Sequence, residues 1–595
     1  MISLSITSVV IAWALLRVLA LPRTLESYIA ATLAGLCIQS AGLLAIGSVN
    51  LVAAQLATLL VALGGIAFAV YRLLHGQSLL VPVPFRPARG FIGVASIVAM
   101  GAAFAAIVVS ARAPATSWDA GVAHLALPAE YARAGRIVAV PGNNYSAYPQ
   151  LVHTLFAAAP GSLEKESAQL AWFFGLLLCG GASFLALRIG GERCAVVAPA
   201  IISTTPLFLE QCPAPGIDVP YTATVIGALG ALAAWKNDRR TGWLLLAGIL
   251  AGSGCGIRHT AYLVNAMLLF GVLLLSDRRR LRDSAIFSGT MVVCAAPWLV
   301  RTAVVSGNPV YPFFSSVLGA NAAPDVDVAA IGAHSSIQGS GLLQLLAFPW
   351  SLTMNPAHYG GWSTSPGALW LVLGVIGVIV GGRAAHLLGA FGVAGLIAIF
   401  FFQRFARYAF PFLAPLMVVA SLPVEKLPAL RRVTGAALVV SYALGLAPSL
   451  AGAALKLPVA LGIEPREAYL AARVERFPAM AWAAATFPKD AVVLSLDPRG
   501  YYLDRSAHTN FEALKGIASG DAESQRAWLR ENRIGYLLYP NKYVTDSPAF
   551  RETGVGAMVD AWRADMAHFT LIKEFELPNP RDGGTERVEF YEFKP

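Results

Sequence analysis

The chain has 595 residues, of which 56% are hydrophobic and only 13% are charged, and its mean hydropathy is +0.62. A soluble protein of this length cannot bury so much apolar surface, so the composition indicates a polytopic membrane protein. The net charge of +10 does not indicate nucleic-acid binding, because most basic residues before Lys456 lie in short clusters between apolar segments. The six cysteines lack CxxC spacing, which argues against a disulfide framework and a zinc site.

Apolar runs of about 20 residues predict about fourteen transmembrane helices before Lys456. In chain order, the predicted spans are 2–21, 27–47, 50–71, 90–111, 168–188, 195–210, 218–235, 242–257, 260–276, 284–305, 367–381, 387–403, 408–422 and 433–454.

The Lys and Arg clusters between these spans set the predicted orientation of the chain. With fourteen spans, every cluster falls on one side of the membrane, which we assign to the cytoplasm, and both termini lie outside. The outer side then receives a first loop (112–167), a second long loop (306–366) and the tail after about residue 455.

Acidic residues are few before the tail. Of the 34 Asp and Glu residues, only 14 precede Lys456, and two of these, Asp119 and Asp218, are predicted beside the outer membrane surface. An acid next to a bilayer is costly to retain, so a pair on one face indicates a functional site. Arginines on the same side break the positive-inside pattern and indicate an anionic ligand; they are Arg258, Arg301, Arg404 and Arg407.

The tail, residues 456–595, mixes charged residues with strand-like runs and helical stretches. The predicted strands are 491–496, 534–540, 569–577 and 587–593, and the predicted helices are 465–486, 521–532 and 555–567. Its length of about 140 residues suits one domain. The predicted fold class is therefore a polytopic α-helical membrane protein with a C-terminal soluble α/β domain.

Five segments of the predicted outer face carry motifs that occur together in one family. The first outer loop has an acid just after a span, a HLALP helix, an Arg-Gly-Arg turn and an S-x-YP motif; then come PAPGIDVPYTATV, GSGCGIRHTAYL, PWLVRTAVVSGNPVYPFF and FQRFARYAFPFLAP. Together with the tail stretch LSLDPRGYYLDR, these segments resemble the GT-C superfamily of membrane glycosyltransferases, which includes the protein O-mannosyltransferases and the lipid A aminoarabinose transferases. The resemblance covers roughly residues 90–595.

The resemblance implies a bacterial inner-membrane enzyme that transfers a sugar from a polyprenyl-phosphate donor to an acceptor on the periplasmic face. We expect a hexosyltransferase whose acceptor is a glycan, a lipid or a protein. Residues 1–89 would add extra transmembrane helices, 90–455 would form the catalytic core with its two outer loops, and 456–595 would be a periplasmic α/β domain. The role of the first three helices is not implied by the family.

The resemblance also assigns roles that agree with the chemistry of the residues. A carboxylate can take the proton of an attacking hydroxyl, so Asp119 is the expected base or acceptor-orienting group, and Asp218 would support it or help to hold a metal. The guanidinium group of arginine can donate two parallel hydrogen bonds to a phosphate. The residues expected to bind the donor phosphate are therefore Arg258, Arg301, Arg407 and Arg404. Contacts to the substrate are expected from His124, Tyr145 and Tyr148.

Each assignment has a structural alternative. Asp119 could cap a helix that begins at Ala120, and Asp218 could cap one with Pro220 in its first turn. Arg258 could extend to lipid headgroups, and Arg301 could form a structural ion pair. The tyrosines could be membrane-interface aromatics.

No cofactor is certain from the sequence. A divalent metal on Asp119, His124 and His153 stays open, although no HExxH or other tight ligand spacing supports it. Two rival functions also stay open. One is a transporter or flippase for a lipid-linked sugar or another anion, and the other is a non-catalytic envelope assembly protein.

Overall fold

The computed structural model describes residues 1–75, 90–159, 161–277, 279–319, 341–579 and 583–595. Its α-helices, numbered in chain order, are α1 Ile2–Val18, α2 Leu25–Gly47, α3 Leu51–Leu74, α4 Phe91–Ser110, α5 Ala126–Ala134, α6 Leu151–Ala157, α7 Leu163–Gly190, α8 Glu192–Ser203, α9 Pro206–Gln211, α10 Asp218–Asp238, α11 Thr241–Gly254, α12 Ala261–Leu275, α13 Arg280–Ser306, α14 Ser315–Leu318, α15 Leu342–Met354, α16 Leu369–Val380, α17 Gly382–Phe402, α18 Ala406–Val419, α19 Pro423–Lys426, α20 Arg431–Ala460, α21 Arg466–Ala471, α22 Phe477–Thr486, α23 Phe511–Ala518, α24 Ala522–Glu531, α25 Asn541–Asp546, α26 Pro548–Glu552 and α27 Val555–Ala564.

The chain divides into two compact units. The helical unit comprises the described residues within Met1–Ala113, Pro149–Leu299 and Asp327–Ala460. The tail unit comprises those within Pro114–Tyr148, Val300–Val326 and Leu461–Pro595.

The helical unit is built around α10, whose side chains are almost all buried. This helix packs against α2, α7, α11 and α18. Small residues permit the close approach: a Cβ added at Gly227 would lie 3.0 Å from Leu250 and 3.1 Å from Leu33. Such small residues are typical of helix contacts in membranes, where the backbones must come close to gain van der Waals contact. The close packing along α10 therefore fixes the positions of its two polar ends.

Nine helical segments of the described residues are long and apolar enough to cross a membrane, and four shorter apolar helices accompany them: α1, α11, α12 and α15. The multi-pass fold class is confirmed, and the nine to thirteen apolar helices of the described residues compare with about fourteen predicted spans. One predicted span, 195–210, is two helices, α8 and α9. The break arises because Pro206 cannot donate a backbone hydrogen bond, while Thr205 Oγ1 caps the new helix by accepting from the N–H of Phe208 at 3.2 Å.

The tail unit contains a five-stranded mixed sheet, which confirms the predicted C-terminal α/β domain. Its strands are β1 Val492–Ser495, β2 Ser506–His508, β3 Ile534–Pro540, β4 Phe569–Pro578 and β5 Thr585–Phe593, in the spatial order β2-β1-β3-β5-β4. Strand β1 runs parallel to both of its neighbours, whereas β5 is antiparallel to β3 and β4. The four predicted strands are present, and β2 is an addition.

One apolar face of this sheet packs on α23, α24 and α27 around a buried core. Leu494 and Leu537 contribute from the sheet, and Val559 and Trp562 contribute from α27. The ring of Trp562 stacks on Phe569 at 5.7 Å between centroids. This burial orders the loops that leave the carboxyl ends of β1 and β2.

Candidate active site

Asp119 lies in the first outer loop, half-buried and directly before a π-helical turn. The turn spans Ala120–His124 and is closed by a hydrogen bond from the N–H of Leu125 to the carbonyl oxygen of Ala120 at 3.0 Å. The backbone of Asp119 is itself helical, and its side chain makes no capping hydrogen bond. The capping alternative is therefore not observed, and the π-helical turn is a feature that often accompanies functional sites.

His124 ends this turn and is 9% exposed, so its imidazole is largely shielded from solvent. The following residues continue as α5, which ends at Gly135, where a positive φ of 66° allows the chain to leave the helix. The predicted HLALP helix is present as α5, while the substrate role of His124 stays a prediction.

Arg301 links two parts of this loop within the tail unit. Its Nη1 donates to the carbonyl oxygen of Ser146 at 2.8 Å, and its Nη2 donates to the Tyr131 hydroxyl at 3.1 Å. Tyr131 is fully buried, and this burial raises the pKa of its phenol although the nearby guanidinium acts in the opposite direction. These contacts favour a positioning role for Arg301.

Tyr145 and Tyr148 occupy the turn that Arg301 holds. Their rings meet edge to face at 5.4 Å, and Tyr148 also lies 6.1 Å from the ring of Tyr311. Tyr145 is 42% exposed, whereas Tyr311 is buried. The turn thus presents one exposed aromatic ring that packs edge to face on its neighbour.

The first outer loop is fastened to the sheet domain by contacts that the sequence did not predict. The Tyr502 hydroxyl donates to the carbonyl oxygen of Ala115 at 2.7 Å. The N–H of Thr509 and the Nδ2 of Asn510 donate to the carbonyl oxygens of Gly142 and Pro141 at 2.6 and 2.9 Å. The only sequence indication was the stretch LSLDPRGYYLDR, which contains Tyr502.

Beneath these contacts lies a buried network of charges around Asp497. Its Oδ1 accepts from the backbone N and Nε of Arg499 at 2.9 and 3.0 Å, and its Oδ2 accepts from Arg499 Nη2 at 2.7 Å and Arg476 Nη1 at 2.8 Å. Burial favours the neutral acid, but the two guanidinium groups outweigh it and hold the pKa of the Asp497 carboxyl below its ordinary value. Arg499 also lies over the ring of Trp118, the residue before Asp119, at 5.1 Å.

In the helical unit, Asp218 and Arg258 form an ion pair between Nη1 of the arginine and Oδ1 of the aspartate. Asp218 is the first residue of α10, and Arg258 lies in the turn between α11 and α12. The guanidinium group stacks on the ring of Tyr408 at 3.8 Å. The ion pair uses one nitrogen of the Arg258 guanidinium group. Because the side chain is 13% exposed, the other N–H groups of the guanidinium can donate to an anion.

Arg404 and Arg407 lie on either side of a helix break. The chain leaves α17 at Phe402 and enters α18 at Ala406, so the two arginines do not share one continuous helix. Arg404 Nε donates to the carbonyl oxygen of Phe400 at 2.7 Å, which satisfies the end of α17 and favours a capping role. Arg407, in the first turn of α18, lies 5.2 Å from the Tyr408 ring that also carries Arg258. Tyr408 thus brings two of the predicted arginines together.

The predicted metal ligands do not form a metal site. Across the described ranges, no group of three or more His, Cys, Asp or Glu side chains is placed to hold a metal ion. His153 lies in α6 of the helical unit and is 3% exposed. Asp119 and His124 lie in the tail unit and His153 in the helical unit, and no chemical step is derived through a metal.

Comparison with known proteins supports the sequence resemblance. Residues 147–300 match the family described as dolichyl-phosphate-mannose-protein mannosyltransferase. The structure of ArnT from Cupriavidus metallidurans bound to undecaprenyl phosphate matches with a TM-score of 0.51 and 15% identity, covering 84% of this chain and 98% of that chain. The apo structure of the same protein matches with a TM-score of 0.51 and 15% identity, covering 83% and 97%.

The archaeal oligosaccharyltransferase AglB from Archaeoglobus fulgidus, in complex with an inhibitory peptide and a dolichol-phosphate, matches with a TM-score of 0.46 and 14% identity, covering 82% of this chain and 74% of that chain. No curated protein sequence matches the chain. The predicted GT-C resemblance is confirmed: residues 147–300 carry the pattern of the dolichyl-phosphate-mannose-protein mannosyltransferase family, and the chain has the fold of the GT-C protein ArnT.

Proposed function

We propose that this protein transfers a hexosyl group from a polyprenyl-phosphate donor to an acceptor on the outer face of the membrane. The observation that carries the proposal is the family match over residues 147–300, because this segment contains both members of the Asp218–Arg258 pair. The ArnT structure that shares the fold holds undecaprenyl phosphate, which is a donor carrier of the proposed class.

The proposed location is a bacterial inner membrane, with the tail domain in the periplasm. The support is the distribution of Lys and Arg between the apolar segments, which follows the positive-inside rule. We propose that 90–455 form the catalytic core with outer loops 112–167 and 306–366, that 456–595 form the periplasmic domain, and that 1–89 are an addition to the core.

In the proposed reaction, Asp119 takes the proton of the acceptor hydroxyl as its oxygen attacks the anomeric carbon. The bond between that carbon and the phosphate oxygen breaks, and its electron pair leaves with the lipid phosphate. A base of this kind must lie within hydrogen-bond reach of the hydroxyl. Asp119 suits the role because it is half-buried on an ordered loop and its side chain does not cap the helix.

The developing charge on the leaving phosphate requires fixed cations, and we propose Arg258 and Arg407 for this role. Both guanidinium groups border the ring of Tyr408, so their positions are linked. Removing one such electrostatic partner typically raises the barrier by about 2.7–4 kcal/mol. Asp218 orients Arg258 through the ion pair, and Arg301 and Arg404 act mainly by holding the outer loop and the end of α17.

For the sugar itself, we propose contacts with the exposed ring of Tyr145, supported by Tyr148, and with His124. A sugar ring buries apolar C–H groups on an aromatic face while its hydroxyls stay available for hydrogen bonds. A transporter is less well supported, because Asp218 and Arg258 lie at helix ends on the face predicted to be outer, whereas a transporter is expected to place such residues near the bilayer midplane.

The experiment is a transfer assay with the purified full-length protein in lipid. A panel of polyprenyl-phosphate sugars is offered with periplasmic glycan, lipid and protein acceptors, and release of free polyprenyl phosphate is followed by mass spectrometry. We expect one donor to turn over, Asp119→Asn to abolish turnover, and Glu130→Gln, a carboxylate change in the same loop, to retain it. Full activity of Asp119→Asn would refute the assignment of the base. Movement of donors between leaflets without release of polyprenyl phosphate would instead support the transporter.

A further inference from the structure

A second region of the helical unit lies at the end of α10 opposite to Asp218. There α7, α10, α12 and α17 enclose a groove of about 510 Å³. Its lining is apolar except at one end, where the polar lining residues are Arg188, Lys236 and Asn237. These three occupy the last turns of α7 and α10. Asp218 and Lys236 are 18 residues apart on one helix, about 27 Å at 1.5 Å per residue, so this groove end is remote from the Asp218–Arg258 pair.

The apolar part of the groove has the length of one membrane leaflet. The lining residues of α12 extend from Ala266 to Leu275, about 14 Å along the helix axis. The hydrocarbon core of a bilayer is about 30 Å thick, so this distance is close to half of it. Two lining side chains, Phe270 and Leu274, are 61% and 40% exposed, so the groove opens to the surface of the unit. Because α12 is an apolar helix, this surface suits contact with lipid chains.

The charges at the polar end leave a positive excess. Asp277 lies 3.9 Å from Lys236 Nζ, but it also accepts a hydrogen bond from Arg239 Nη2 and is 72% exposed. Two other acids, Glu26 and Glu192, line a neighbouring cavity that shares Arg188 and Asn237 with the groove, and neither acid lines the groove itself. Cations near the carboxyl end of a helix commonly interact favourably with the helix dipole, but this interaction does not require an apolar groove beside them.

We propose that this groove binds one anionic phospholipid of the leaflet opposite to the transfer site. Its headgroup phosphate contacts Arg188 and Lys236, and one acyl chain lies along α12. Basic pockets between transmembrane helices are known to recognise anionic headgroups in this way. The site is independent of the proposed transfer reaction, because it uses none of the residues assigned to it. A bound lipid here would hold α10 and α17 together at the end remote from Asp218.

Gly271 offers a direct way to fill the groove. It lines the groove on α12, and a Cβ added there would meet no atom within 4 Å, so a leucine can enter without displacing the fold. Gly289 on α13 is the matched control, because a Cβ there also meets nothing within 4 Å and the residue does not line the groove. Replacing either glycine by leucine improves helix propensity to the same extent.

The test is native mass spectrometry of the delipidated full-length protein in mild detergent. Palmitoyl-oleoyl phosphatidylglycerol is titrated against phosphatidylcholine with the same chains. We expect one phosphatidylglycerol to be retained in preference, Lys236→Gln to weaken its binding about fivefold, and Gly271→Leu to abolish the preferential binding while Gly289→Leu does not. Equal retention of the two lipids would overturn the proposal, as would equal binding by the two leucine variants. Complete displacement by an equimolar polyprenyl phosphate would assign the groove to the donor tail instead.

Discussion

Arg258 and Asp218 form an ion pair that joins the turn between α11 and α12 to the first residue of α10. The side chains are only 13% and 4% exposed, so each charge depends on the other for compensation. The ring of Tyr408 covers the guanidinium group at 3.8 Å and restricts its motion. An arginine held in this way is oriented in advance for an anion, since little side-chain entropy is then lost when the anion binds.

We expect Asp218→Asn to lower the free energy of unfolding by about 3 kcal/mol, because removal of one partner leaves a largely buried charge uncompensated. The variant should also raise the KM for the donor, because Arg258 loses the carboxylate that orients it. The double variant Asp218→Asn/Arg258→Gln should recover much of the stability and none of the activity. Thermal unfolding in detergent and donor titrations measure the two effects. A double variant as unstable as the single one would contradict the role of the pair.

The Tyr131 hydroxyl is a partner through which Arg301 orders the first outer loop. Tyr131→Phe should loosen the segment between α5 and the Tyr145 turn, since a hydrogen bond to a charged group contributes about 1.5–3 kcal/mol. Hydrogen exchange of residues 126–148 should become faster. Tyr145→Phe is the control, because it removes a hydroxyl from an exposed ring of the same loop. Unchanged exchange in Tyr131→Phe, or an equal effect in the control, would show that Arg301 does not order the loop.

The sequence predicted the general class of the fold and the residues of the candidate site, but not how those residues pair. Asp218 and Arg258 were each singled out as outer charges, yet their ion pair spans 40 residues and depends on where α11 ends. Arg404 was expected to bind phosphate with Arg407. The helix break between them agrees with the predicted ends of spans 387–403 and 408–422. What apolar periodicity does not predict is that Arg404 donates to the carbonyl oxygen of Phe400.

In the tail, too, the sequence predicted some elements and missed others. The long alternating strands β3, β4 and β5 were predictable, because each has enough residues to show a period. The three-residue strand β2 was not, because Ser506–His508 is too short to show a period and pairs with β1 through long-range contacts. Its neighbours Thr509 and Asn510 contact the first outer loop, so the missed strand is the one that fastens that loop. The helix α15 was missed because it lies inside a segment predicted to be a loop.

His508 should make the stability of the tail unit depend on pH. It is 5% exposed, and burial lowers the pKa of its imidazole to about 4 from the ordinary value of 6.5. The unfolded chain therefore binds a proton between these values that the folded chain does not. The associated stability is fully present above about pH 6.5 and falls by about 3 kcal/mol as the pH approaches 4.

Thermal unfolding of the full-length protein between pH 7 and pH 4 measures this dependence, with the fluorescence of Trp528 as a reporter, because its ring lies 4.9 Å from His508. His508→Gln removes the titrating group and should flatten the profile over this range. Parallel profiles for the wild type and the variant would mean that the pKa of His508 is the same in the folded and the unfolded chain.

Gly121, two residues after Asp119, lies against the sheet domain. A Cβ added at this position would come within 2.8 Å of the Tyr502 ring and 3.2 Å of Arg499 Cβ. Gly121→Ala should therefore displace Tyr502, whose hydroxyl bonds to Ala115, at a cost of about 1–3 kcal/mol in stability. Because Asp119 moves with the turn, kcat should fall by about tenfold or more, since small errors in the position of a reacting group are costly.

The matched control is Gly516→Ala on α23, where an added Cβ meets no atom within 4 Å and alanine favours the helix. Steady-state kinetics should show a loss of kcat with little change in donor KM for Gly121→Ala, and no loss for Gly516→Ala. A rise in KM alone would place the effect on donor binding rather than on Asp119. Normal kinetics in both variants would show that contact with the sheet domain does not position the acid, and the domain would then need another role.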